Sequence, residues 1–265
     1  MSHLLWFLSI YFVLQEDAIV AYAIDNNLSK EQLDCKGSRI GKLRIIKKGV
    51  KALIMNTDKQ ERIKSIFRRK IFPVFIQLNG TVPDGLETFI VEHSKIITAV
   101  KDQYLAESGE TEDGHLLYLE SGIARCYYYD ATADKFIVTR IAKKGDVLID
   151  TNAFLYGSKQ AQNIQMLESG TVITLSYTNL KLLLAEFHIM YATFIYFLAE
   201  KEKQHAAYQH LLKSSVDERV KLFLDGNTGI ATRINNDHIA TYLDMSRTTF
   251  SSAYAKYKSE KDENR

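Results

Sequence analysis

The hydrophobic positions change period twice along the chain, and each change marks a new kind of structure. Between His115 and Tyr177 the apolar residues fall in short runs: HLLYLE (115–120), IARCYYY (123–129), FIVTRI (136–141), NIQML (163–167) and VITLSY (172–177). They are rich in β-branched and aromatic residues and are bounded by Gly, Asp, Ser or Asn, as strands are. Their close spacing predicts an antiparallel sandwich or roll rather than βαβ units. Gly122 in ESG and Gly145 in KKGD stand where turns tolerate a positive φ. Ahead of the strands, Pro73 and Pro83 punctuate a short helical lead-in with Leu86, Phe89 and Ile90 at helical spacing.

Beyond Tyr177 the spacing lengthens to threes and fours. Asn179–Phe187 reads as one short helix and His188–Lys213 as a long one. The long helix carries Met190, Phe194, Phe197, Tyr208 and Leu211 on one stripe, interrupted by Lys201 and Gln204. Its 26 residues reach about 39 Å, more than cover for a small roll requires. The stripe is therefore expected to be a dimer seam with a polar centre. Ser215–Glu218 (SVDE) then forms a capping box that opens another helix, which ends at Asp225-Gly226-Asn227. A domain boundary falls near Ser214.

Residues 235–258, NNDHIATYLDMSRTTFSSAYAKYK, have the spacing of a helix-turn-helix. Asn236 is expected to cap a helix that turns Ile239, Ala240 and Leu243 inward. Asp244-Met245 makes the turn, and Ser246 caps a second helix with Thr249, Phe250 and Ala253 inward. The N-terminal side chains of that helix, Arg247, Thr248 and Ser251, are left free to meet base edges in a major groove. A generic αα-hairpin is the competing reading, since Asp244 stands where glycine is common and residues 231–265 carry a net charge of only +1.

Charge segregates strongly behind a formal net charge of +2. Residues 1–35 hold one base against five acids, and residues 36–70 hold thirteen bases against two. The basic block could meet phosphate or an anionic membrane, but no aromatic residue stands among its bases before Phe67, and a solvated connector is preferred. Leu4–Leu14 is apolar but about half the length of a membrane span. It also lacks the basic start of a secretory signal, so it is read as a buried or partner-covered helix, with peripheral membrane contact left open. Cys35 and Cys126 form no CxxC or Cys/His cluster, which excludes a disulfide framework and a structural metal site and fits a reducing, cytoplasmic compartment. No Walker loop, G-x-G-x-x-G, G-x-S-x-G or H-E-x-x-H is present, so no enzyme reading and no cofactor gains support.

From about residue 75 to 258 the chain resembles the Crp/Fnr superfamily of bacterial transcription regulators. HLLYLESGIARCYYYD is similar to that family's strand-turn-strand with its E-x-G turn, and KKGDVL to its G-D-x-[IL] turn. MLESGTVITLSYTNLKLLL resembles the last strands entering a short helix, and SVDERVKLFL with HIATYLDMSRTTFSSA the linker helix and reader. The resemblance implies an α+β chain with a cyclic-nucleotide-binding-like antiparallel β-roll, a long dimerisation helix and a winged-helix-like helix-turn-helix. It divides the chain into an extension (1–70), an effector-type roll (71–187), a dimerisation helix (188–214) and a DNA-binding domain (215–265). Partners implied are double-stranded DNA, a second copy of the chain and RNA polymerase. The implied DNA-contacting residues are Ser246, Arg247, Thr248, Thr249, Ser251 and Ser252, with Lys256 and Lys258 on phosphates. The extension is expected to be dispensable for folding of the roll.

Three departures limit the resemblance. The family's cyclic-nucleotide cassette, G-E-L followed by Arg-Ser, aligns with Ile149, Asp150 and Thr151 and with Gln160 and Ala161, so a phosphate would face Asp150 with no cationic partner. Two cysteines cannot hold the iron–sulfur cluster of the oxygen-sensing members. After Ala253 too few residues remain for a full wing. An effector is therefore unidentified and not expected to be a cyclic nucleotide. The alternatives are a ligand-sensing or protein-interaction module that does not bind DNA, or a membrane-associated sensor using the N-terminal segments.

Overall fold

The computed structural model describes residues 58–110 and 113–263. The chain divides into two compact units, residues 1–62 and 63–265; of the first, residues 58–62 are described and are helical. The apolar run Leu4–Leu14 and the basic block as far as residue 57 lie outside the described residues. No helix among the described residues is long and apolar enough to cross a membrane.

The second unit opens with helical residues 63–70, followed by α1 (Phe72–Asn79) and α2 (Leu86–His93). Pro73 stands in the first turn of α1, where its missing N–H costs nothing. Eight strands follow: β1 (Lys95–Ala99), β2 (Tyr104–Ala106), β3 (His115–Leu119), β4 (Ile123–Asp130), β5 (Lys135–Lys143), β6 (Val147–Leu148), β7 (Asn163–Glu168) and β8 (Gly170–Ser176). A short α3 (Thr151–Tyr156) interrupts them after β6. The strands form two antiparallel four-stranded sheets, ordered β1-β8-β3-β6 and β2-β7-β4-β5. The five predicted runs are β3, β4, β5, β7 and β8. The missed strands β1, β2 and β6 are short and carry few buried side chains, so they leave little period to read.

Period-two alternation distributes these strands over three cores. Between the sheets lie Leu117, Leu119, Ala124, Cys126, Met166 and Val172. On the outer face of the first sheet, Tyr118, Ile173 and Leu175 pack under the helices. On the outer face of the second, Ile123 and Leu167 pack against the C-terminal helices. At the β3–β4 turn Gly122 has φ 91°, and a Cβ there would stand 2.8 Å from the Glu168 carbonyl oxygen, so only glycine fits.

The chain continues as α4 (Tyr177–Glu186), the long α5 (Met190–Lys213), α6 (Val216–Gly226), a 3-10 turn (Ile230–Thr232), α7 (Asn236–Tyr242) and α8 (Arg247–Glu263). Ser215 caps α6 as predicted, its Oγ accepting from Glu218 N at 3.4 Å.

The boundary expected at residue 70 is corrected. Ile63 and Ile66 are 3% and 5% exposed in the same core as Leu86, Ile90 and Leu183, so residues 63–70 are part of the roll's helical cover. Burying each such side chain contributes about 1.5–3 kcal/mol. The surrounding lysines and arginines hid this helix, because its apolar face is only one residue in three or four.

Candidate nucleic-acid interface and effector cavity

The C-terminal helices share one core, with Ile239, Leu243 and Phe250 fully buried and Ala240 and Ala253 nearly so. Those are the residues the spacing turned inward; Thr249 is only half-buried. The cap of α7 moves by one position: Asn235, not Asn236, accepts from Asp237 N at 3.0 Å, while the Asn236 Oδ1 is buried without a partner. Asp244 supplies the left-handed turn residue at φ 49°, a conformation that aspartate tolerates better than most residues. Ser246 Oγ accepts from Thr249 N at 3.1 Å and so caps α8. Arg219 ties the turn to the long helix, donating to the Leu243 carbonyl at 2.6 Å and to the Leu212 and Ser214 carbonyls at 2.8 and 3.0 Å.

This frame leaves Arg247, Thr248, Ser251 and Ser252 on the exposed face of α8. The Arg247 side chain is 70% exposed and its Nε lies 3.3 Å from the Asp237 carboxylate on α7. Lys256 is ion-paired with Asp217 of α6, and the Lys258 ammonium stacks 4.3 Å from the Tyr254 ring centroid. Both lysines named as phosphate contacts thus have partners within the helical domain. The pairing with Asp217 raises the pKa of Lys256, first through its hydrogen bond.

The helix-turn-helix also rests on the second sheet. Arg233 makes two 2.8 Å hydrogen bonds to the Glu168 carboxylate, holding that carboxyl below its usual range. Arg125 of β4 donates to His238 Nδ1 at 3.1 Å, and Lys135 pairs with Asp244 at 3.2 Å. Burial and then the Arg125 charge push the His238 pKa down, consistent with a ring that accepts through Nδ1.

A cavity of about 1110 Å³ opens between the roll, α3, the long helix and the C-terminal domain. At its edge lies the segment aligned with the nucleotide cassette. The Asp150 carboxylate accepts three backbone N–H groups: Asn152 at 3.0 Å and Ala153 at 3.1 Å on Oδ1, and Ala161 at 2.8 Å on Oδ2. Backbone donors that could cradle a phosphate are taken by the chain's own anion. The Tyr177 hydroxyl, its pKa pushed up to about 12 by burial, accepts from Asp150 N at 3.0 Å. Lys201 of α5 reaches the same loop, donating to the Ile149 carbonyl at 3.2 Å and Thr151 Oγ1 at 3.1 Å. Burial lowers the pKa of this lysine while Asp150 raises it. The expectation that a phosphate here would find no cationic partner is therefore corrected: Lys201, some fifty residues away in sequence, lines the same cavity.

Solved structures share this fold. A transcriptional regulator assigned to the Crp/Fnr family, from Eubacterium rectale, superposes with a TM-score of 0.56 at 15% identity, over 70% of this chain and 88% of that one. The chain has the Crp/Fnr fold. FixK2 from Bradyrhizobium japonicum gives 0.54 at 16% identity over 63% and 85%. CLP, the c-di-GMP-responsive global regulator of Xanthomonas campestris, gives 0.53 at 15% over 67% and 93%. No protein-family model matches the chain, and no curated protein matches it in sequence.

In this fold the stripe read as a dimer seam faces other parts of its own chain. Met190 is buried and Phe194 packs with it under the roll; Phe194 meets Phe154 edge-on with centroids 5.3 Å apart. Phe197 lines an apolar cavity beside them. Lys201 serves the Asp150 loop, and Gln204 accepts from Arg140 at 2.9 Å. Tyr208 donates to the Tyr242 carbonyl at 2.9 Å, and Leu211 packs into the C-terminal core. One position further around the helix, about 100°, lies a face that this chain leaves open. Tyr191 (47% exposed) and Ile195 (61%) stand uncovered there, with Leu198 and Leu212 half-buried along the same line.

Proposed function

We propose that the chain is a homodimeric, DNA-binding transcription regulator of the Crp/Fnr kind, acting in the cytoplasm and taking no cyclic nucleotide. The observation that carries this reading is the exposed row Arg247, Thr248, Ser251 and Ser252 on a capped helix N-terminus, held by a fully buried core on a roll-and-long-helix chassis. Such a row can enter a major groove, where an arginine reads guanine through two parallel hydrogen bonds. Support for the dimer is the apolar line Tyr191, Ile195 and Leu198 at four-and-three spacing on the open face of the long helix, which turns polar at Glu202, His205 and Gln209 before Leu212. Two readers on a twofold axis would meet half-sites about 10 bp apart. Support for the absence of a nucleotide is the Asp150 carboxylate, which occupies the Ala161 N–H of the cassette-aligned segment and the Asn152 and Ala153 N–H groups just after it. RNA polymerase is the further partner on this reading.

In-vitro selection of duplex DNA by the purified protein tests the proposal. A recovered palindrome with half-sites one helical turn apart is expected. Failure to enrich any sequence would replace this reading with that of an interaction module that does not bind DNA.

A further inference from the structure

Between the end of the long helix and the turn of the helix-turn-helix, a single side chain holds both sides. α5 ends at Lys213 and α7 at Tyr242, and the last carbonyls of a helix have no donor within it. Arg219, on α6, meets both sets. Its Nη2 donates to the Leu212 and Ser214 carbonyls at 2.8 and 3.0 Å, and its Nη1 to the Leu243 carbonyl at 2.6 Å, with the Asp244 carbonyl at 3.5 Å. The carbonyl just before these, that of Tyr242, accepts from the Tyr208 hydroxyl of α5 at 2.9 Å, and the two tyrosine rings stack with centroids 4.7 Å apart. The Arg219 Nε is buried without a partner.

Every acceptor of this guanidinium is a backbone carbonyl near a helix C-terminus, where the helix dipole leaves a partial negative charge. A guanidinium is planar and its donors form a fixed fork. Bonding α5 through one nitrogen and the end of α7 through the other therefore fixes the angle between the two helix ends as well as their separation. A lysine ammonium, a point charge on a flexible stem, sets no such angle. The unmet Nε costs free energy that an apolar side chain here would avoid. Leu243 and Asp244 lead through Met245 directly to Ser246, the cap of α8, so what fixes their carbonyls fixes where the reader helix starts.

We propose that Arg219 is the positioning residue that sets the angle between α5 and α8 and, through it, the half-site spacing that the dimer reads. The spacing role rests on the dimeric, DNA-binding reading above. Neighbouring spacings differ by one base pair, about 3.4 Å along the duplex, so only a stiff joint tells them apart.

Selection on duplexes that carry the half-site at varied separations compares the wild type with Arg219→Gln and Arg219→Lys. Both variants should recover the same half-site. Their preference for the wild-type separation over one with a base pair inserted should fall about tenfold or more, the worth of one hydrogen bond to a charged group. An arginine that merely stabilises the fold would lower Tm and all affinities together and leave the preferred separation unchanged. A readout without DNA keeps the two readings apart. Spin labels are placed at Lys203→Cys on α5 and Ser259→Cys on α8, both exposed positions, in the full chain with Cys35→Ser; the remaining Cys126 is buried. With labelled chain diluted in unlabelled chain, the distance distribution should be narrow in the wild type and broad in both variants. Arg219→Lys, which keeps a cation at the helix ends, should stay nearer the wild type in Tm. Broadening without enrichment of any half-site would overturn the DNA reading, and the spacing role with it, while upholding the joint. An equally narrow distribution in folded Arg219→Lys, or an unchanged preference for separation in either variant, would overturn the proposal itself.

Discussion

Replacing Asp150 with alanine removes one carboxylate and leaves three backbone donors without their acceptor. Two of these donors belong to the first turn of α3, where loss of a capping side chain costs about 1 kcal/mol. The third, Ala161 N, ties the loop before β7 to the same oxygen pair, and a net hydrogen bond is worth about 1 kcal/mol more. A loss of about 2 kcal/mol lowers Tm by about 4–8 °C in a unit of this size. Asp150→Asn separates the contributions, because its single amide oxygen can still cap Asn152 and Ala153 but cannot also hold Ala161. A drop of about 2–4 °C is expected for it. Scanning calorimetry gives both values, and isothermal titration of cyclic AMP and cyclic GMP into the wild-type protein should show no specific heat. An unchanged Tm in Asp150→Ala would mean that the carboxylate does not hold the loop. A stoichiometric micromolar isotherm, abolished by mutation of the roll, would mean that a phosphate displaces Asp150 after all.

Arg247→Ala should cost about 1–3 kcal/mol on a selected duplex and little on a scrambled one at fixed salt; equal loss on both would make Arg247 a phosphate contact. Asp237→Asn should move the two affinities in opposite directions, weakening the selected site because Arg247 Nε loses its 3.3 Å partner, and strengthening random DNA because a negative charge leaves the interface. Ile195→Glu should give a folded monomer by analytical ultracentrifugation, whereas Phe197→Glu, facing the apolar cavity, should destabilise the fold; a monodisperse dimer in Ile195→Glu would place the seam elsewhere. His238, whose pKa is depressed by burial and Arg125, binds its proton more readily unfolded, so its stabilisation is complete above about pH 6.5 and is lost as pH falls through the lower folded value. The fall in Tm from about pH 7.5 to about pH 5.5 should be smaller in His238→Gln, and an equal fall in both proteins would remove His238 from the account.

Local patterns determined much of this protein on their own. Period two marked five of the eight strands, period 3.6 marked the long helix, and the spacing of Ile239, Ala240, Leu243, Phe250 and Ala253 placed the reader core. These features repeat within a few residues, so the information lies inside the window that forms them. What covers a face does not lie in that window. The stripe through Phe194, Lys201, Gln204 and Tyr208 is amphipathic against any partner, and only the folded chain shows that its own roll and C-terminal domain take it. Ile63 and Ile66 looked like punctuation in a basic connector until α2 and α4 closed over them. The segment around Asp150 showed no cation in sequence because the donors that meet the carboxylate and the lysine that reaches the loop come from residues 152 and 153, 161 and 201, which no linear spacing joins. Periodicity tells a side chain which way to face; the burial of one element against another, decided by the whole chain at once, tells it what it meets.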